Sequence, residues 1–373
     1  MKKALLLTLT LICVVLVVLL CSCGPKKQVT ENGVIYTLSE DGTYYTVSDG
    51  RGATGALEIP SAIKEIPVKN IGMAAFIGSA VESVVIPDSV ESYGLRAFME
   101  CTNLKSITLS ANADTINEAT FASCYKLTEI VIPSSVTLID DQAFLNCISL
   151  SSITISEGLE RIGDGAFKGC SSLASINIPK SLLFLGDNCF SDCSALKAVY
   201  ITDMEAWYDI EYRSDSTVNF MSYSTPLRNG ADLYLNGEKV VNLVIPNGTV
   251  LREYLFAGCT SLVSVTLPED LTLVSALCFY GCSSLETVVL PSTLKELDDS
   301  AFAYCTSLKS ITIPASVTIV DDRAFVGCSS ITSIYFADAS NWYYKDGAKV
   351  NVTNPSENAE QFKNGAYRIY IKK

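Results

Sequence analysis

Hydrophobic positions along this chain repeat with a period of 23 residues. The pair Ala-Phe, or a close variant, places Phe76, Phe98, Phe121, Phe144, Phe167 and Phe190 in one series, and Phe256, Phe279, Phe302 and Phe325 in a second. The first interval is 22 residues, the gap between the series is 66, and all others are 23. One unit reads as a circuit. Leu127, Ile130 and Ile132 alternate as a short strand with one buried face. Pro133 ends it, having no N–H to donate. Val136 and Ile139 return along the next side, Asp141 precedes Ala143-Phe144, and Cys147 and Leu150 close the coil. Such a unit cannot bury its apolar side alone, whereas stacked coils cover one another. The pattern predicts a solenoid with a parallel sheet on one side, short helical turns and irregular returns on the other, and a stacked column of phenylalanines inside. Eleven or twelve coils at the inter-strand spacing give a rod about 55 Å long.

The period divides the chain. Residues 71–201 form a first repeat block and 240–336 a second. Residues 202–239 are an insertion, in which Leu233-x-Leu235 and Leu243-x-Ile245 just beyond it read as strands. Residues 33–70 hold a predicted hairpin cap, with Val34-Ile35-Tyr36 and Thr43 to Val47 joined through Glu40-Asp41-Gly42. Residues 337–373 form a C-terminal cap, with 346–366 expected as a loose end before a strand from Tyr367 to Ile371. After each block comes the motif Y-x-x-D-x-x-x-W-Y, once as Tyr200, Asp203, Trp207-Tyr208 and once as Tyr335, Asp338, Trp342-Tyr343. It reads as a cover for the solenoid's open end or as an exposed aromatic patch, since Trp and Tyr are enriched in binding hot spots.

Met1-Lys2-Lys3 is basic, Ala4 to Leu20 is apolar apart from Thr8 and Thr10, and Leu20-Cys21-Ser22-Cys23-Gly24 follows. This is the layout of a secretory signal. It resembles a bacterial lipobox, which implies a signal over 1–22, lipidation of Cys23, and a tether over 23–32.

The formal charge is −13, which disfavours nucleic acid as a partner. There is no histidine, so His-dependent triads and His zinc sites are excluded. Of 14 cysteines, nine follow the repeat Phe by three residues, Cys101 to Cys328, while Cys189 and Cys278 take the Ala slot. One thiol per coil at a fixed slot gives parallel Cβ directions, which suit a disulfide poorly. They read as small buried residues with free thiols, the alternatives being adjacent-rung disulfides or a metal ladder. Asp141, Asp164, Asp187, Asp299 and Asp322, with Glu118 and Glu253, stand three residues before Phe. They read as caps of the turn bearing A-F-x-x-C, with a cation-binding column as the other reading. No calcium-loop spacing is present, and no metal or other cofactor is assigned.

The outward strand positions are small, hydroxylated and nearly uncharged. Candidate ligand-binding residues there are Ser106, Thr108, Ser152, Thr154, Tyr200, Ser264, Thr266, Ser310, Thr312 and Tyr335, joined by Trp207 and Trp342 of the aromatic motif. The unit Ile132-Pro133-Ser134-Ser135-Val136 through Ala143-Phe144 to Cys147, Ser149 and Leu150 resembles the BspA-like leucine-rich-repeat proteins. The resemblance covers nearly all of residues 33–373. It implies a leucine-rich-repeat solenoid and a non-enzymatic bacterial surface protein, lipid-anchored to its membrane, that binds extracellular or host protein or glycan. A structural or assembly role in the envelope is the alternative. The resemblance carries over no ligand-binding residues.

Overall fold

The computed structural model describes residues 27–212, 225–321, 323–365 and 370–373. The signal, Cys23 and Asp322 lie outside them. The expected solenoid is present, with about twelve coils. Long-side strands pair in parallel at an offset of one repeat: Glu129–Ile132 lies beside Ser152–Ile155, and Ser175–Asn177 beside Ala198–Ile201. On the opposite side, two-residue strands at Thr115–Ile116, Leu138–Ile139, Arg161–Ile162 and Phe184–Leu185 form a second parallel ladder. The core between them is one continuous cluster from Val34 to Tyr370.

The phenylalanines form the expected column. Successive rings stack with centroids 4.8–5.6 Å apart from Phe76 to Phe190, and 5.2–5.8 Å apart from Phe256 to Phe325. Gly50 closes its N-terminal end, since a Cβ there would lie 2.1 Å from the Phe76 ring.

The segment bearing each Phe is a run of turns, not a helical turn. In one coil Gln142, Phe144 and Asn146 donate their amides to Asp164, Ala166 and Lys168 of the next coil, while Ala143, Leu145 and Cys147 donate three residues back. Alternate amides thus bond along and across the stack. The backbone manages this with left-handed residues on both sides of Phe, Gln142 at φ 56° and Asn146 at φ 58°. The acidic residue serves the stack too. Asp141 Oδ1 accepts the Asp164 amide at 2.7 Å, and Asp164 Oδ1 accepts that of Asp187 at 2.8 Å. The expected cap therefore acts between coils, satisfying an amide that would otherwise be buried without a partner.

The eleven described cysteines are free and buried. Eight donate S–H to the carbonyl of Phe in the preceding coil, at 3.0–3.2 Å. Cys259 follows an irregular coil and contacts Ser261 Oγ instead, at 3.2 Å. Burial pushes these thiols up, to about 12 at Cys193 and Cys328.

The N-terminal cap contains the expected hairpin, Val34–Leu38 against Tyr45–Asp49. It gains a third strand, Gln28–Glu31, paired with the first of these, so the tether expected to run to residue 32 is already structured from residue 28. Tyr45–Asp49 then runs parallel to Ile66–Ile71, which joins the meander to the short-strand side. At the other end the expected loose segment contains a helix, Pro355–Asn364. Its Phe362 meets Phe325 edge-on at 5.9 Å and stacks on Tyr370 at 4.4 Å, closing the column. Asn358 Nδ2 donates to the carbonyls of Ile334 and Val352, both at 2.9 Å. The closing strand, Tyr370–Lys372, pairs antiparallel with Ile319–Val320 and Trp342–Tyr344.

Candidate binding surface

Because side chains alternate along a strand, each long-side strand presents two residues outward, and the parallel register aligns them into rows. One row runs Ser83, Ser106, Glu129, Ser152, Ser175, Ala198, Asp232, and in the second block Asn242, Ser264, Thr287, Ser310, Ser333. The other runs Val85, Thr108, Val131, Thr154, Asn177, Tyr200, Tyr234, then Val244, Thr266, Val289, Thr312, Tyr335. The first row is mostly hydroxylated, as expected. The second is more apolar: Val131 is 59% exposed, Val289 54% and Val244 72%. Branched aliphatic side chains suit a strand but hold apolar surface in water here, which is what a contact face offers. Two ion pairs sit beside the rows, Lys105 with Glu82 at 2.7 Å and Lys309 with Glu286 at 2.8 Å, while Glu129 is an exposed acid within the first row.

Ser106, Thr108, Ser152, Thr154, Ser310, Thr312 and Tyr335 are exposed on this face, and Tyr200, Ser264 and Thr266 are half-buried. The register adds Val85, Tyr234 and Val244. Tyr234 packs against Tyr200 with the rings tilted and their centroids 4.9 Å apart. The sequence marks its strand through Leu233-x-Leu235 but not its place in the row, because Ala198 pairs with Asp232, 34 residues on, and a 23-residue ruler misses that register.

Trp207 and Trp342 do not belong to this face. Each is 1% exposed, so the two tryptophans cover the core as the first reading of the motif expected, and the exposed-patch reading is corrected for them. Asp203 caps the short helix Met204–Asp209, accepting the amides of Glu205 and Ala206, and that helix turns Trp207 and Tyr208 inward. In the second copy Asp338 accepts the Ser340 amide and pairs with Lys372 at 2.7 Å, which holds its carboxyl well below the usual range. Trp342 Nε1 donates to the Asp338 carbonyl at 2.8 Å, whereas Trp207 Nε1 is buried without a partner. Trp342→Phe therefore gives up a hydrogen bond that Trp207→Phe does not. It is expected to destabilise by about 1 kcal/mol more, measured by urea unfolding.

Among the described residues no cluster of three or more Cys, Asp or Glu side chains is placed to hold a metal ion. No described helix is long and apolar enough to cross a membrane.

The family model of the BspA-type leucine-rich-repeat region matches residues 69–197 and 230–345, in six copies. The chain belongs to that family. No curated protein sequence matches it. Among solved structures it is similar to a leucine-rich cell-surface protein of Faecalibacterium prausnitzii, with 24% identity, 86% of this chain and 97% of that one covered, and a TM-score of 0.49. It is also similar to a leucine-rich-repeat protein of Bacteroides ovatus, with 28% identity, coverage of 82% and 88%, and a TM-score of 0.48. The pneumococcal vaccine antigen PcpA is 22% identical over 85% of this chain and 83% of its own, with a TM-score of 0.54, a likeness of fold.

Proposed function

We propose that this protein is a bacterial surface or envelope binding protein that recognises protein or glycan through the outward rows of its long parallel sheet. The observation that carries the reading is the second row, in which Val, Thr and Tyr side chains recur along the stack, Val131, Val244 and Val289 among them more than half exposed. Solenoids commonly bind along such extended faces. The chemistry on that face is contact chemistry, hydroxyl and apolar, and no role in a reaction is assigned to it. Residues 24–373 are expected to bind at least one member of an array of matrix proteins, mucins and bacterial polysaccharides. Silence on the whole array, with one fixed envelope protein recovered by crosslinking, would favour an assembly scaffold.

The reading includes a lipid on Cys23, supported by the lipobox resemblance. Cys23→Ser is expected to abolish incorporation of radiolabelled palmitate and to release the protein from the membrane fraction. Retention of label in the variant would count against that anchor.

A further inference from the structure

The two repeat blocks are joined by an irregular coil. After Ala198–Ile201 the chain makes the helix Met204–Asp209 and reaches the next long-side strand only at Asp232–Leu235. It then doubles back through Glu238–Lys239, antiparallel to that strand, before the second block starts at Asn242–Val244. This hairpin interrupts the coil-on-coil stacking on the long-strand side. It leaves a cleft of about 580 Å³ between the helix, the hairpin and the first strand of the second block. That size is within the range of about 300–1,000 Å³ usual for ligand sites.

The cleft has an apolar lining and an acidic rim. Met204, Tyr208, Leu235, Leu243 and Pro246 supply the apolar part. Burial, and behind it the nearby Glu205 charge, pushes the Tyr208 phenol up to about 12, so this wall stays neutral. On the rim Glu205 and Glu238 are exposed. Among the described residues the one cation lining the cleft is Lys239, and it is held by Asp232 at 2.6 Å, not by either glutamate. Val244 belongs both to the cleft and to the apolar outward row, so the two surfaces are continuous.

We propose that this cleft receives one apolar side chain of a partner polypeptide, flanked in that partner by cationic residues. The apolar walls recover hydrophobic free energy only from a group that leaves water, and the two exposed carboxylates select positive neighbours. The inference rests on the reading that the long-sheet side faces the partner, and it names the chemistry of one anchor point on that side.

The test uses the full chain in detergent micelles with ¹³C-methyl methionine. The Met204 methyl reports on the cleft, and Met73 and Met99 in the first block are controls. The probes are the capped tripeptides Lys-Phe-Lys and Glu-Phe-Glu. Lys-Phe-Lys is expected to shift the Met204 signal saturably, leaving the controls still. Glu-Phe-Glu is expected to bind roughly tenfold more weakly, since two exposed attractions become two repulsions. Glu205→Lys with Glu238→Lys should invert that preference, and the corresponding Gln pair should erase it. A Met204 signal that never moves, moves alike with both peptides, or moves only together with the controls overturns the proposal. The tripeptides are too short to lie along the rows, so failure here leaves the sheet reading standing. Failure of the sheet reading would appear instead as array binding indifferent to sheet substitutions.

Discussion

Raising the pH is expected to unfold this protein abruptly, starting just above pH 9. Eleven cysteines lie in the core, and burial raises the pKa of each of them. In the unfolded chain a thiol ionises near its ordinary value of about 8.5. In the folded chain Cys193 and Cys328 keep their protons to about 12. Between those limits the folded state binds more protons than the unfolded state, so stability is full below about pH 8.5 and falls as the pH rises. Each thiol contributes a slope of at most about 1.4 kcal/mol per pH unit. Eleven in concert exceed the usual margin of about 5–15 kcal/mol within roughly one or two units. Circular dichroism along an alkaline titration should show a cooperative loss of structure between about pH 9 and 11. A thiol assay should find the cysteines protected at neutral pH and all reactive after the transition. A spectrum unchanged to pH 12, or thiols reactive in the folded protein, would contradict this picture of the core.

The second large effect is expected from Phe144→Ala. Its ring stacks between Phe121 at 5.3 Å and Phe167 at 5.2 Å, with no exposed surface. Truncation removes the transfer free energy of the ring and leaves a cavity that the fixed rise of the coils prevents from closing, a loss of about 3–5 kcal/mol. Because each coil contacts only its neighbours, the loss also uncouples the two sides of the break. Urea unfolding is then expected to separate into two transitions where the unsubstituted protein shows one. A single transition displaced by less than about 1 kcal/mol would show that the column is not a continuous source of stability.

What was legible in the sequence is whatever one coil must carry by itself. Phe144, Cys147, Leu150, Ile130 and Ile132 are buried in every stacking arrangement, so their period declares the fold. The acidic ladder was visible as a pattern, but its partner, the amide of Asp164 on the next coil for Asp141, exists only once the coils are stacked. The left-handed residues beside Phe were written faintly. The slot two after Phe holds Asn146, Gly169, Gly258, Gly281 and Gly327, types that tolerate positive φ, yet Glu100 and Tyr304 adopt it as well. The C-terminal helix could have been found: Asn354 caps it, Pro355 opens it and Gly365 follows it, a start and stop that outweigh the polar composition of the segment. The burial of both tryptophans was open to one of the two readings of their motif, since its place at the end of each repeat block suits a cover for the exposed core. On the candidate face, the hydroxyl row followed from the 23-residue period. The place of Tyr234 beside Tyr200 did not, because its coil is 34 residues long.

The proposed contact with a partner lies on the outward rows. Its most direct test repeats the binding array with Val131→Glu combined with Thr154→Glu, two exposed neighbours in register on adjacent strands. Lys168→Glu, exposed on a turn beyond the Phe column, serves as the charge control. With folding of both variants verified by circular dichroism, signals seen with the unsubstituted protein are expected to vanish in the sheet variant and persist in the control. Signals that survive both glutamates on the sheet would place recognition elsewhere on the molecule.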